Sequence, residues 1–465
     1  MLQEYLLEIG YLIAALTFVI GLKMLSHPKT ARRGNLLAAG GMLLGIIVTI
    51  FLHDWVQGNY IWIVSALVVG TVIGTIMALR VEMTAMPQMV SFFNGMGGGC
   101  VAVISLTEYL VFEPGAAGMM DSDVGIILAG ILVGCVAFSG SIVAYGKLEG
   151  KITEKPLALP GQMYINLILL IVIVAIGIYI LTFADPIVTP ALIVFVLALI
   201  YGVLFVLPIG GADMPVVVSL LNSFTGIAAA LAGFLYMNMV MITGGIFVGA
   251  AGSILTVLMC QAMNRSLASV LVGALGGAPS AAGKEETDKT VREATLSDVG
   301  IMLGYSQKVM IVPGYGLAVA QGQHLCRELD KMLSERGVDV KYAIHPVAGR
   351  MPGHMNVLLA EADIPYDKLL EMEEANEELK STDVVVVIGA NDVVNPAAND
   401  DPSSSIYGMP ILNILEAKNT VVIKRSMGVG YAGIDNELFY HEKNRMLLGD
   451  AKEMLQGIID EVKEH

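Results

Sequence analysis

Long apolar runs fill the first 264 residues of the chain, and a different pattern follows them. A helix needs about 20 mostly apolar residues to cross roughly 30 Å of hydrocarbon. Runs of this kind lie near residues 5–24, 35–51, 60–78, 84–106, 124–145, 163–183, 188–207, 214–236 and 238–262. The sequence therefore predicts a transmembrane α-helical domain over residues 1–264, with nine spans.

The second half begins after a polar, glycine-containing segment, 265–290, which we interpret as a flexible linker. From residue 291 to residue 465, short β-rich runs alternate with helical stretches. The β-rich runs lie at 308–312, 339–344, 368–372, 384–389, 420–424 and 445–448. Such alternation predicts a Rossmann-like α/β domain, in which helices cover both faces of a six-stranded parallel sheet.

The composition agrees with this division. Mean hydropathy is +0.71, and only 15% of the residues are charged. The net charge of −15 is uneven, because the first 265 residues hold 9 Lys or Arg against 12 Asp or Glu, and the rest hold 18 against 30. An acidic soluble half argues against nucleic acid as a partner. The four cysteines lack C-x-x-C spacing and the seven histidines are scattered, so we expect neither a disulfide framework nor a bound metal.

The loop charges predict the orientation of the chain. Nine spans place alternate loops on one side of the membrane, and all nine Lys and Arg residues of the first 265 positions fall in or beside the loops of a single side. The opposite loops contain no Lys or Arg, and their charged residues are all Asp or Glu. The positive-inside rule then places the N-terminus outside and the soluble domain in the cytoplasm. We expect a multi-pass protein of the inner (cytoplasmic) membrane, surrounded by lipid.

Three polar residues within or beside the spans are candidates for a proton path, since polar groups are costly in the bilayer. They are Asn94, Asp213 and Asn222. For the two asparagines a hydrogen bond between helices is the structural alternative. Amides do not titrate, so they would order water, and a protonation switch would need a carboxylate such as Asp213 or a group on another chain.

A glycine turn follows the first predicted strand. It has the form G-x-G-x-x-V, with Gly314, Gly316 and Val319. Such a turn lets backbone N–H groups approach a diphosphate at the start of a helix. The usual third glycine is absent, however, and a tight strand-to-helix turn in any α/β domain has the same appearance.

Unusual residues also follow the other strands, at the edge of a parallel sheet where ligands bind. An NAD site favours an acidic residue at the end of the second strand, whereas His345 stands there. After the fifth strand, Lys424, Arg425 and Ser426 suit a 2′-phosphate, although cations are also common at exposed strand ends. His345 is either a structural histidine or a proton-coupling group, and Asp392 either a ligand-site residue or a turn cap.

Long motifs in both halves resemble one family. In the soluble half, the motifs are similar to the NADP(H)-binding domain of proton-translocating NAD(P) transhydrogenase: Pro313–Val319, His345–Pro352, Gly389–Asp392, Gly408–Pro410, Lys424–Gly433 and Gly449–Lys452. In the membrane half, the motifs resemble the membrane domain of that family: Gly210–Ser219, Leu221–Ser223 and Met263–Ser266. The chain looks like a β subunit, without an NAD(H)-binding domain of its own.

This resemblance implies hydride exchange between NADP(H) on this chain and NAD(H) on a partner α subunit, coupled to proton movement across the membrane. It also implies a dimer of α–β units, a flipped NADP(H) and a lid formed by the loop that ends at Tyr431. Many members have a histidine where Asn94 stands, so water ordered by Asn94 and Asn222 is the preferred hypothesis here. No catalytic side chain is expected, since hydride passes directly between cofactors.

The resemblance further assigns a set of cofactor-binding residues. With the glycine turn, they are Gly314, Tyr315, Gly316, Val319, Val347, Ala348, Gly349, Arg350, Met351, Pro352, Gly389, Ala390, Asn391, Asp392, Val393, Gly408, Met409, Lys424, Arg425, Ser426, Met427, Gly428, Val429, Gly430, Tyr431, Asp450 and Ala451. The alternative from another class is a nucleotide-gated ion channel or transporter, whose soluble domain only senses a dinucleotide.

Overall fold

The computed structural model of the protein describes residues 2–52, 59–111, 121–153, 155–182, 188–264, 266–267, 290–404, 406–430 and 432–464. Most of the predicted linker 265–290 therefore lies outside the described residues. The described residues divide into two units. One consists of those within Met1–Ile209 and Val217–Thr256, and the other of those within Gly210–Val216, Val257–Gly273 and Gly277–His465.

The described residues include nine helices that are long and apolar enough to cross a membrane, which confirms the predicted multi-pass architecture. They are α1 (Leu2–Leu25), α2 (Pro28–Leu52), α3 (Tyr60–Arg80), α4 (Met86–Val111), α5 (Asp121–Leu148), α6 (Gln162–Thr182), α7 (Val188–Val206), α8 (Met214–Leu235) and α9 (Met239–Ala262).

Small residues set the spacing of α4 and α5. A Cβ atom added to Gly98 would lie 2.8 Å from the Cβ atom of Ala137, and one added to Gly134 would lie 2.8 Å from the Gly98 carbonyl oxygen. The two backbones therefore touch. In lipid, where no hydrophobic effect draws helices together, this contact gives the packing that holds them.

A buried lysine joins the end of α5 to the segment after α7. The side chain of Lys147 is fully buried. Its Nζ atom donates hydrogen bonds to the carbonyl oxygens of Leu207 and, at 2.7 Å, of Ile209. These carbonyls follow the last turn of α7, where helical partners run out. Lys147 thus fixes the course of the chain just before Gly210.

We expect Lys147→Met to destabilise the protein by about 1–3 kcal/mol, because two buried carbonyls lose their donor while the length of the side chain is kept. The measurement is thermal unfolding in detergent. Lys151→Met is the matched control, since Lys151 is exposed and should tolerate the change. Equal, small effects of the two substitutions would show that the Lys147 bonds contribute little.

The soluble part of the second unit contains a six-stranded, fully parallel sheet, as predicted. Its strands are β1 (Lys308–Pro313), β2 (Asp339–Ile344), β3 (Leu369–Glu371), β4 (Val384–Ile388), β5 (Asn419–Lys424) and β6 (Asn444–Leu448). Their order in the sheet is β3-β2-β1-β4-β5-β6. This is the doubly wound order, with the crevice for a ligand beside β1 and β4, where the direction of winding reverses.

Helices cover both faces of the sheet. They are α10 (Leu296–Gly304), α11 (Tyr315–Val319), α12 (Gln323–Glu335), α13 (His354–Glu361), α14 (Met372–Leu379), α15 (Ala397–Asp400) and α16 (Ala451–Glu464). Alternate residues of β1 enter different cores: Val309 and Ile311 pack with α12, α13 and α16, whereas Met310 and Val312 pack on the side of α14. Burial on both faces explains why these strands are continuous apolar runs.

Candidate functional site

The glycine turn after β1 lies directly against the end of β4. The backbone N–H of Gly314 donates to the carbonyl of Ile388, and that of Gly316 donates to Gly389, each at 2.9 Å. A Cβ atom on Gly314 would lie 2.4 Å from the nitrogen of Ala390. Glycine is therefore required by backbone-to-backbone contact at the crevice. The helix that follows, α11, has only five residues, and Val319 at its end is exposed.

His345, at the end of β2, is held at both ring nitrogens. Its Nε2 atom lies 2.8 Å from the carbonyl of Pro410, and its Nδ1 atom accepts a hydrogen bond from the N–H of Val347 at 3.2 Å. Nε2 is therefore the protonated nitrogen, which donates to Pro410. Burial lowers the pKa of His345 from 6.5 to about 4, and the bond to Pro410 acts in the opposite direction. This geometry favours the structural interpretation.

The free energy of unfolding should fall as the pH decreases from about 6.5 to about 4. The unfolded chain binds a proton at His345 near pH 6.5, whereas the folded chain binds it only near pH 4. Above pH 6.5 the neutral histidine costs the folded state no stability. At pH 4 the free energy of unfolding should be lower by on the order of 3 kcal/mol. Thermal unfolding against pH should show a shallower dependence in His345→Gln. An unchanged slope would contradict the buried, neutral state.

A second buried histidine joins the ends of β1 and β2. His354 begins α13, and its Nδ1 atom accepts a hydrogen bond from the N–H of Arg350 at 3.0 Å. Its ring centroid lies 6.3 Å from that of Tyr315, and the Arg350 guanidinium lies 4.5 Å from the same tyrosine ring. Burial and the charge of Arg350 lower the pKa of His354 to about 4. Sequence reasoning missed this residue, since it follows the resembling motif.

The Nε2 atom of His354 provides a test of whether the site fits a dinucleotide. It is buried and has no hydrogen-bond partner within the part of the chain that the structure describes. Because Nδ1 accepts a hydrogen bond, Nε2 is the donor nitrogen of the neutral ring. Buried donors without acceptors are rare in folded proteins. A ligand rich in phosphate, hydroxyl and amide oxygens would supply the missing acceptor.

The loop after β5 is tied to the end of β4. The Oδ2 atom of Asp392 accepts a hydrogen bond from the N–H of Ala432 at 3.0 Å. A Cβ atom on Gly430 would lie 2.3 Å from Oδ1 of Asp392, so the loop backbone lies against this carboxylate. Asn436 Nδ2 donates to the carbonyl of Asn391 at 3.1 Å. Asp392 thus contacts the predicted lid. Tyr431 lies outside the described residues.

Lys424, the last residue of β5, is half-buried at the centre of this arrangement. Its Nζ atom donates to the carbonyl of Gly428 and lies 4.6 Å from the ring centroid of Phe439. Burial lowers the pKa of Lys424, and the nearby carboxylates of Asp392 and Asp435 act against that shift. Arg425 and Ser426 are exposed beside it. The Lys424 side chain at the end of β5 is therefore directed toward the loop that follows this strand.

Other predicted residues are placed at the same edge but bury their side chains. The five with side chains in the hydrophobic core are Ala348, Ala390, Val393, Met409 and Ala451. They can offer a ligand only backbone groups. At the sixth strand, the N–H of Gly449 donates to the carbonyl of Lys424 at 2.9 Å, and Asp450 Oδ1 accepts from the N–H of Lys452 at 3.0 Å. The ends of β5 and β6 are thus joined.

Among the membrane helices, Asn94 forms hydrogen bonds to two neighbouring helices, which is the structural alternative to a role in a proton path. Its side-chain Nδ2 atom donates to Ser141 Oγ on α5 at 3.0 Å, and its backbone carbonyl accepts from Thr225 Oγ1 on α8 at 3.3 Å. Asn222 is half-buried on α8. Asp213, which belongs to the second unit, ends the 3-10 turn Gly211–Asp213 that precedes α8. Among the described residues, no group of three or more His, Cys, Asp or Glu could hold a metal ion.

Long apolar helices and a doubly wound parallel sheet, whose crevice gathers glycines and cations, define a multi-pass membrane protein with a Rossmann-like domain. The sequence profile of the NAD(P) transhydrogenase beta subunit matches residues 7–461. Two proteins named NAD(P) transhydrogenase subunit beta, one from Rhodospirillum rubrum and one from a named strain of that species, are each 46% identical over 456 residues and covered over 97% of both chains. The chain therefore belongs to the NAD(P) transhydrogenase beta subunit family, and it is a subunit of an enzyme.

Proposed function

We propose that this transhydrogenase subunit binds NADP(H) in the crevice at the carboxyl ends of the strands. The observation that carries the proposal is the contrast between β2 and β5. At β2, the residue after the strand, where an NAD site favours an acidic side chain, is His345, and its ring is hydrogen-bonded to Pro410 and Val347. At β5, Lys424 and Arg425 place two cations where a 2′-phosphate would be stabilised. This chemistry selects the phosphorylated dinucleotide.

The remaining residues of the site have separate tasks in this proposal. Lys424, Arg425 and Ser426 hold the 2′-phosphate, and the backbone at Gly314 and Gly316 leaves room for the dinucleotide to approach β1 and β4. The Nε2–H of His354 finds an acceptor on the cofactor. A bound nicotinamide would supply the hydride chemistry itself, so the chain needs to orient it and to exclude water.

The loop 425–430 acts as a lid in the same proposal. Its two attachments are the bond from Lys424 to Gly428 and the contact of Gly430 with Asp392. Both attachments involve charged groups whose environment changes when a phosphate arrives. A closed lid would keep water from the hydride-transfer geometry and retain NADP(H) through the transfer.

The partner in this proposal is an NAD(H)-binding α subunit, and the assembly is a dimer of α–β units. The relatives carry the name subunit beta, which supports a further subunit. Residues 1–264 would form the proton-translocating domain, 265–290 the linker and 291–465 the NADP(H)-binding domain, with the N-terminus outside and the NADP(H) domain in the cytoplasm. Asn94 and Asn222 would order water, and Asp213 would titrate. One charge crossing 100 mV is worth about 2.3 kcal/mol, enough to shift a two-state nucleotide site.

The direct test compares the purified chain with and without an NAD(H)-binding partner. The chain alone should bind NADP(H) by equilibrium titration and exchange no hydride with an NAD⁺ analogue. Adding the partner should start the exchange. Robust exchange by the chain alone would overturn the subunit assignment, and failure to bind NADP(H) at all would overturn the proposed site.

A further inference from the structure

A tyrosine and a glutamate form a polar pair at one end of the contact between α4 and α8. Tyr236, directly after α8, donates a hydrogen bond from its Oη atom to Oε1 of Glu108 at 2.5 Å. The span predicted from the sequence ends at residue 106, whereas α4 continues to Val111 and therefore carries Glu108 within the helix. Glu108 is half-buried and lies three residues before the helix end.

The same two helices meet at a second polar contact. The Thr225 hydroxyl of α8 donates to the backbone carbonyl of Asn94 on α4. Asn94 and Glu108 are fourteen residues apart, about four turns, and Thr225 and Tyr236 are eleven apart, about three turns. Both pairs therefore lie on one face of their helices, and α4 runs parallel to α8. At 1.5 Å per residue, Asn94 and Glu108 are separated by about 21 Å along α4.

Between these two polar contacts, the described residues include a small apolar cluster shared by α4 and α8. Val101 of α4 packs with Ala228 and Ala232 of α8, and all three are buried, with at most 5% of their surface exposed. A proton could pass this apolar section only if a helix shifted, as in the hydrophobic gates of membrane pathways. Along this contact, an apolar section thus lies between the Thr225–Asn94 bond and the Tyr236–Glu108 pair.

A purely structural tie between helices does not require an ionisable group. Serine, asparagine or glutamine would bind Tyr236 at a lower cost than a carboxylate within a membrane helix. Two further titratable side chains lie near this end of the described membrane helices, namely Tyr109 on α4 and Asp123 near the start of α5. Of these three residues, Glu108 is the carboxylate that lies on the same face of α4 as Asn94.

We propose that Glu108 exchanges protons with the water on the side of the membrane that the loop charges predict to be outside, and that Tyr236 positions its carboxylate. The carboxylate takes up a proton from that water and returns it there, or passes it inward when the section around Val101 opens. The inference rests on the proton coupling and orientation proposed above. It adds a terminal group for the path at the end remote from Asp213.

The test uses vesicles that contain the chain assembled with its NAD(H)-binding partner, with the nucleotide sites outside. Reduction of an NAD⁺ analogue by NADPH is followed while the luminal pH is varied at constant external pH. Glu108→Gln keeps an oxygen that can accept the Tyr236 hydrogen bond, but the glutamine side chain does not titrate. Tyr236→Phe is the complementary control, because it removes the hydrogen bond that Glu108→Gln can keep and leaves the carboxylate in place. Glu108→Asp tests rescue.

We expect Glu108→Gln to slow coupled turnover about tenfold or more, as for loss of a proton-transfer group, and to abolish its dependence on luminal pH. Tyr236→Phe and Glu108→Asp should retain that dependence. Equal behaviour of Glu108→Gln and Tyr236→Phe, or an unchanged luminal pH profile in Glu108→Gln, would overturn the role of Glu108. If the unsubstituted complex exchanges hydride without any response to luminal pH, proton coupling itself fails, and this inference fails with it.

Discussion

Replacing Lys424 by alanine should weaken NADP⁺ binding about 10- to 100-fold and leave NAD⁺ binding nearly unchanged. A charge-assisted hydrogen bond to a phosphate contributes about 1.5–3 kcal/mol, and each 1.4 kcal/mol is tenfold in affinity. Lys424 is half-buried, and its Nζ atom contacts Phe439 and Gly428, so its contribution is less screened than that of a fully exposed lysine. Equilibrium titration of the full chain with both dinucleotides gives the two dissociation constants.

Lys418→Ala is the matched control for this experiment. Lys418 immediately precedes β5, at the other end of the strand, and forms an exposed ion pair with Asp383 at 2.7 Å. Exposed pairs contribute about 0–1 kcal/mol, so both dinucleotides should bind this variant normally. Equal losses of NADP⁺ and NAD⁺ binding in Lys424→Ala would contradict the 2′-phosphate role.

Gly314→Ala should abolish dinucleotide binding and destabilise the soluble domain. The added methyl group would lie 2.4 Å from both the nitrogen of Ala390 and the oxygen of Gly389, which are backbone atoms of the adjoining strand end. Neither strand can move away without breaking the ladder between β1 and β4. Overpacking of this kind costs about 1–3 kcal/mol or more. Thermal unfolding and NADP⁺ titration of the same preparation measure both effects.

Gly304→Ala separates this effect from a general intolerance of alanine. Gly304 ends α10, and an added Cβ atom would approach only the Arg336 side chain, at 3.8 Å. Ordinary van der Waals contact and the better helix propensity of alanine should leave stability unchanged or slightly higher. Normal NADP⁺ binding by Gly314→Ala would show that the close approach of β1 and β4 is not required at the site.

The architecture could be predicted from the sequence because its elements are determined locally. The run Val384–Ile388 is apolar throughout, and the structure buries every residue of β4. The same holds for the membrane helices, whose length and apolar composition follow from the thickness of the bilayer. Parallel pairing also places the strand ends at one edge, so residues that follow different strands, such as Gly316 and Gly389, meet as expected.

Contacts between distant segments could not be predicted in the same way. His354, Phe439 and Asn436 show no local pattern, and they belong to the site only because the fold brings them to Tyr315, Lys424 and Asn391. The end of α4 was also placed too early, since a charged residue at position 108 indicates a loop unless its partner is known. That partner, Tyr236, is 128 residues away in the sequence.

The central claim is that hydride exchange at the NADP(H) site and proton movement through the membrane unit are one coupled process. Sealed vesicles containing the assembled enzyme should be given NADPH and an NAD⁺ analogue, while analogue reduction and luminal pH are recorded together. The account predicts that luminal pH changes only during exchange, and that an uncoupler abolishes the pH change and accelerates exchange. Proton movement with NADPH alone, as in a nucleotide-gated channel, or exchange without any luminal pH change would contradict it.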